Sequence, residues 1–261
     1  MWINLDEVTL ALRDGDGAGI KVAIIDSGVE ILHPLLQGLS VSDDLAFVKS
    51  GPQLKVVDGK GIDQYGHGTA IASIIHRVAP AASIGSFQVL NERLGSTSDV
   101  IAFAVREAIA RGYHLLSCSF GCPGTERYLL RYKEWIDEAY LHGVHIVSAC
   151  NNNNVAVKEW PAYFPSVIAV NMAKSPEATL FYRRGGRMVE FAAHGTDLEL
   201  PWLGGKTIKG VSGSSYAAPL VAGLLARLLG CHPSLSPLAA KALLQSVAIP
   251  WSSEIAAENE F

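Results

Sequence analysis

Short apolar runs alternate with longer stretches of helical period along this chain, and that alternation predicts its elements. Val22–Ile25 is four apolar residues in succession, the pattern of a strand buried on both faces. Further strands are predicted at Ile84–Leu90, Leu115–Ser119, Val144–Ala149 and Val167–Val170. Helical spacing covers His67–Ile75, Ser98–Ala110 and Glu126–Leu141, with Ser98 or Asp99 capping the second and Gly112 following its end. Arg187–Ala193 reads as a later strand, a long helix follows Ser215 to Leu229, and Pro237–Val247 reads as a last helix. Strands alternating with helices imply a mostly parallel sheet covered on both faces, a three-layer α/β sandwich. Neither repeats nor a linker interrupt the pattern, so one domain over residues 1–261 is expected.

Composition narrows the class. A chain of 261 residues buries about three quarters of its unfolded surface. With 49% hydrophobic and 18% charged residues it is globular rather than disordered. The net charge of -4, without a basic run, argues against a nucleic-acid or anionic-membrane partner. The apolar stretches read as too short, or too broken by Gly and Pro, to span a bilayer. Cys118, Cys122, Cys150 and Cys231 form no disulfide framework, and the Cys118/Cys122 pair lacks the second Cys/His pair a metal site needs. Met1–Glu7 has no basic segment followed by an apolar core, so no secretory signal is read there and a cytoplasmic location is expected. Two glycine-rich strings fail as phosphate loops. Gly15-Asp16-Gly17-Ala18 precedes the first strand instead of following it, and Gly205-Lys206-Thr207 has Leu200 where the earlier glycine belongs.

Three segments carry candidate chemistry. Asp26 ends the first strand, where open α/β sheets place their ligands. His67 stands between Gly66 and Gly68 at the start of an apolar helix. Ser215, in Gly213-Ser214-Ser215-Tyr216-Ala217-Ala218-Pro219, stands at the mouth of another, where unpaired N–H groups and the positive end of the helix dipole gather. Each alone has a plainer reading, as a cap or a turn residue. Jointly they supply a nucleophile, a base to take its proton, and a carboxylate to orient the base.

Asp26-Ser27-Gly28, Gly66-His67-Gly68-Thr69 and Gly213–Pro219, in this order, resemble the signatures of the subtilisin-like serine peptidases, from about Gly19 to Gln245. The resemblance implies a serine endopeptidase with a Ser215–His67–Asp26 triad and a peptide or protein substrate. It also implies an asparagine amide for the oxyanion. Counting from Gly143 and back from Trp160-Pro161 gives Asn152, with Asn151 and Asn153 as the neighbouring alternatives and Asn151 in a position usually held by glycine. Substrate would add as a strand beside Ser117-Cys118-Ser119-Phe120-Gly121 and Leu94-Gly95-Ser96, with Glu159 near the floor of the pocket for the residue before the cleaved bond. A carboxylate there would favour Arg or Lys, unless Glu159 pairs with Lys158 or an arginine at the surface. The family's calcium loop, inserted in the helix after the histidine, has no counterpart in Ile75-His76-Arg77-Val78-Ala79-Pro80, so no metal or cofactor is expected there. Two further readings remain: a processing or transpeptidating enzyme for one peptide precursor, and a non-catalytic module that keeps the fold.

Overall fold

A computed structural model describes residues 3–177, 179–257 and 259; Met1 and Trp2, part of the N-terminal reading, lie outside them. In chain order the strands are β1 (Lys21–Asp26), β2 (Ser40–Ser50), β3 (Gln53–Asp58), β4 (Ser83–Gln88), β5 (Leu115–Cys118), β6 (Cys122–Pro123) and β7 (His145–Ala149). They continue as β8 (Glu159–Trp160), β9 (Ile168–Ala173), β10 (Phe181–Arg183), β11 (Phe191–His194), β12 (Leu198–Trp202), β13 (Lys206–Val211) and β14 (Ile249–Pro250). The helices are α1 (Leu5–Asp14), α2 (His67–Val78), α3 (Ser98–Ala110), α4 (Glu126–Leu141), α5 (Ser214–Cys231), α6 (Pro237–Val247) and α7 (Ser253–Ala257).

Ten strands form one sheet in the order β14-β10-β11-β9-β7-β5-β1-β4-β2-β3. Its centre is parallel: β1 pairs with β4 and β5, β5 with β7, and β7 with β9. The fold is a three-layer α/β sandwich. Period-2 alternation sends the side chains of β1 into two separate cores. Val22 and Ile24 pack with α2 and α5 residues such as Ile71, Ile75 and Leu224. Ala23 and Ile25 face the layer of α3 and α4, with Val105, Trp135 and Ile136.

Expected and observed elements differ in instructive places. Thr97, not Ser98 or Asp99, caps α3: its backbone is extended (φ -116, ψ 150) and its side chain accepts from Val100 N. Ser98 and Asp99 already belong to the first turn, where an acid still complements the dipole. The strand expected over Arg187–Ala193 begins only at Phe191, because Gly186 (φ 70) turns the chain and Arg184 N bonds Glu190 O at 2.6 Å. The apolar-length expectation also changes. α5 has 18 residues and a mean hydropathy of 1.3, enough to cross a membrane by length and composition, yet 78% of it is buried inside the protein. It is the central core helix.

The join between β1 and α2 sets the position of the cleft. Gly68, in the first turn of α2, lies so close to the loop after β1 that a Cβ there would stand 2.0 Å from Gly28 O. Only a residue without a side chain permits that approach. Gly68→Ala must push helix and loop apart and should lower stability by about 2 kcal/mol, within the usual overpacking range. Urea denaturation measures this, and an unchanged midpoint would show that the join is slack.

Candidate active site

Asp26 and His67 meet at that join. Asp26, at the C-terminal end of β1, is 0% exposed, and His67 is 5% exposed. His67 Nδ1 stands 2.9 Å from Asp26 Oδ1 and 3.1 Å from Oδ2. Oδ1 also accepts from Ser27 N (2.8 Å) and Ser27 Oγ (3.2 Å), so the carboxylate's acceptors are occupied and its direction is fixed. With Nδ1–H donated to Asp26, the neutral ring keeps a lone pair on Nε2.

Asp63 completes this corner. Its Oδ1 accepts from Tyr65 N and Gly66 N, and its Oδ2 from Thr69 N and Thr69 Oγ1, at 2.6–2.9 Å. A buried carboxylate thus ties the start of α2 to the turn that leads into it, satisfying Thr69 N in the first turn and two N–H groups just before the helix. Gly66 needs no side chain because it is left-handed (φ 105) and lies under the Trp202 ring. No motif above singled out Asp63, which lies three residues before the N-cap Gly66 and so outside the ordinary capping position.

Ser215 comes from α5. Asn152 Oδ1 accepts from Ser214 N at 2.7 Å, which leaves the Asn152 amide N–H₂ free. The Nδ2 atom and Ser215 Oγ both lie beside Gly213, at 3.6 and 3.3 Å from where a Cβ would stand. Ser214 Oγ donates to Cys150 O at 2.6 Å, tying α5 to the end of β7. Pro219 lacks the N–H that would serve Ser215 O within the helix, and Ser119 Oγ donates to that oxygen instead, at 3.1 Å. His67, Ser119, Asn152, Glu159 and Ser215 together line a cavity of about 390 Å³. Among the described residues no hydrogen bond joins Ser215 to His67, a bond that free enzymes often close only with substrate.

The expected substrate segments divide. Ser119, Phe120, Gly121 and Leu94 line the cavity, and Gly95 and Ser96 line a second one beside it. Ser117 and Cys118 do not: both are buried in β5, since a central strand offers no free edge. Burial and the nearby Asp26 push the Cys118 thiol far up, which makes it inert. The cysteines are free thiols, and the described residues contain no group of three His, Cys, Asp or Glu side chains able to hold a metal. Glu159 points into the cavity, without an ion pair to Lys158 or to any described arginine. Its Oε1 accepts from Asn151 Nδ2 at 2.8 Å. Asn151 Oδ1 accepts from Asn153 N and Asn154 N, and its backbone is not left-handed. An asparagine in this place therefore braces the loop by its side chain.

With this geometry the relationship is plain. The chain matches the model of the subtilase family over residues 17–259 and belongs to that family. It is a serine endopeptidase. It is 29% identical to subtilisin DY of Bacillus licheniformis over 245 residues, covering 89% of this chain and 84% of that one. Identity to subtilisin E of Bacillus subtilis (strain 168) is also 29%, over 89% of this chain and 61% of its relative. Among solved structures, sphericase is similar with a TM-score of 0.74 and 26% identity, covering 89% of this chain and 83% of that one.

Burial opposes a charge on His67, but the charge and hydrogen bond of Asp26, with Asp63 behind, outweigh it and raise its pKa above the ordinary 6.5. A histidine raised on folding adds stability that is complete below its unfolded value and is lost as pH rises through the folded value. The His67 ring resonances should accordingly titrate above pH 6.5 by NMR. In Asp26→Asn, where burial is less opposed, the midpoint should fall. A wild-type midpoint at or below the ordinary value would mean that Asp26 does not govern the ring.

Proposed function

We propose that Ser215, His67, Asp26 and Asn152 carry out the peptide-bond hydrolysis of this endopeptidase. The observation that carries the assignment is a histidine held by buried Asp26 that lines one cavity with a serine at a helix N-terminus. Ser215 Oγ turns toward Nε2 and attacks the carbonyl carbon while His67 takes its proton. The oxyanion accepts from the Asn152 amide and from Ser215 N–H, one of the unpaired donors of the first turn of α5. Such a donor contributes about 10²–10³ in turnover. His67 then passes the proton to the departing amine, and water repeats the sequence on the acyl-enzyme. Because the histidine pKa is raised, the acid limb of activity falls above pH 6.5.

No calcium is required at α2, a reading supported by the unbroken run of that helix from His67 to Val78. A cytoplasmic location is supported by the four free thiols, two of them buried. Recovery of the protein from the culture medium in place of the cell lysate would overturn it. Ser215→Ala and His67→Ala should each lower turnover on a denatured protein substrate by about 10⁶. Asp26→Asn should lower it by about 10⁴, with the wild-type rate unchanged by a chelator. A Ser215→Ala enzyme that kept most of its activity would end the assignment.

Substrate preference follows from Glu159, a half-buried carboxylate that lines the cavity and has no ionic partner among the described residues, a setting that favours a cation. The residue before the cleaved bond is then Lys or Arg. Peptides with Lys, Leu or Phe there should be cut in that order, Lys leading by about tenfold, and Glu159→Gln should erase the lead. Equal rates, or Phe first, would remove this preference. A mixed peptide library with sequenced ends would separate broad hydrolysis from processing or ligation of one precursor.

A further inference from the structure

A second cavity, about 510 Å³, continues the cleft beyond Phe120 and Gly121 and shares Leu90 and Leu94 with the first. Its charge is opposite to that of the Glu159 pocket. Lys49, Arg127 and Arg131 line it, against one acid, Asp99. Arg131 answers that acid, at 3.4 Å from Asp99 Oδ1, and donates to Ser98 Oγ at 3.2 Å. Arg127 and Lys49 have no carboxylate partner among the described residues. Arg127 cannot be there for the sake of its helix, because a cation in the first turn of α4 opposes the dipole. It is instead held against the Tyr128 ring, with Cζ 5.4 Å from the centroid. Leu94, at the rim between the cavities, is left-handed (φ 57) and braced by Asn91, whose Oδ1 accepts from Gly95 N and Arg93 N at 2.9 Å.

We propose that this cavity takes an Asp or Glu side chain of the substrate, two to four residues ahead of the cleaved bond. The groove then reads a peptide by charge at both ends: a carboxylate upstream for Arg127 and Lys49, a cation at the bond for Glu159. An extended peptide rises about 3.3 Å per residue, so a side chain in that range falls well beyond the first pocket, on the side where Leu94–Ser96 and Phe120–Gly121 flank the chain. The inference rests on the endopeptidase reading for its direction along the groove. It does not depend on hydrolysis for the contact itself.

Fluorogenic peptides with Glu, Ala or Lys at each of the three upstream positions test it, measured as kcat/KM in the wild type and in Arg127→Glu. Arg127 is exposed, so the substitution leaves the core intact. At one position Glu should exceed Lys by about tenfold, a preference that shrinks in about 0.5 M salt and inverts in Arg127→Glu. It should persist when the residue before the bond is Leu, which separates it from Glu159. Binding of the same peptides to Ser215→Ala, followed by fluorescence anisotropy, should rank them alike. Ratios within about twofold at all three positions, or a ranking unmoved by Arg127→Glu, would overturn the proposal. If no peptide were cut while Ser215→Ala still preferred Glu, the hydrolytic reading would fail and the acid-binding cavity would stand.

Discussion

The close approach of two glycine backbones holds the rest in place. Gly68 rests against Gly28 O, and that contact brings the first turn of α2 to the end of β1. Two polar side chains then lock the approach. Ser27 Oγ accepts from Gly68 N at 3.1 Å, and Asp63 accepts from Gly66 N and Thr69 N on either side of it. Once the backbones are fixed, the buried imidazole meets the buried carboxylate, whose direction Ser27 N and Ser27 Oγ already set. Neither charge could be buried alone at tolerable cost. The pair is therefore a product of packing as much as of electrostatics.

The parallel centre of the sheet and its helices were legible because burial on both faces leaves unbroken apolar runs, as at Val22–Ile25. Asp26, His67 and Ser215 were legible as candidates because each sits at an element boundary within two residues of a glycine. The antiparallel β2–β3 edge was not foreseen, since its half-exposed strands mix Ser, Asp and Lys among apolar residues. The β12–β13 hairpin escaped for a similar reason. Asp63 and Thr97 act through bonds to backbone N–H groups at helix starts, which depend on backbone angles that residue type alone leaves open. Ser117 and Cys118 were expected at the groove because the whole segment resembles a substrate strand. Only the sheet order shows where β5 stops being interior and starts being rim.

Glu159 shows how a loop and a pocket can be built together. Four consecutive asparagines invite a flexible reading, yet Asn151 uses both ends of its amide to fold the loop and to aim the carboxylate. The neighbouring Asn152 spends its oxygen on Ser214 N and keeps its nitrogen for the cavity. The repeat is thus divided in function residue by residue.

Pro219 has a consequence beyond its helix. By withholding a donor it makes the carbonyl of Ser215 a junction with Ser119, which lines the cavity. The carbonyl of the first turn of α5 is thus held from outside its own helix, by a residue of the cavity wall. Under the proposed function, this one bond would couple a side chain lining the cavity to the setting of the Ser215 backbone.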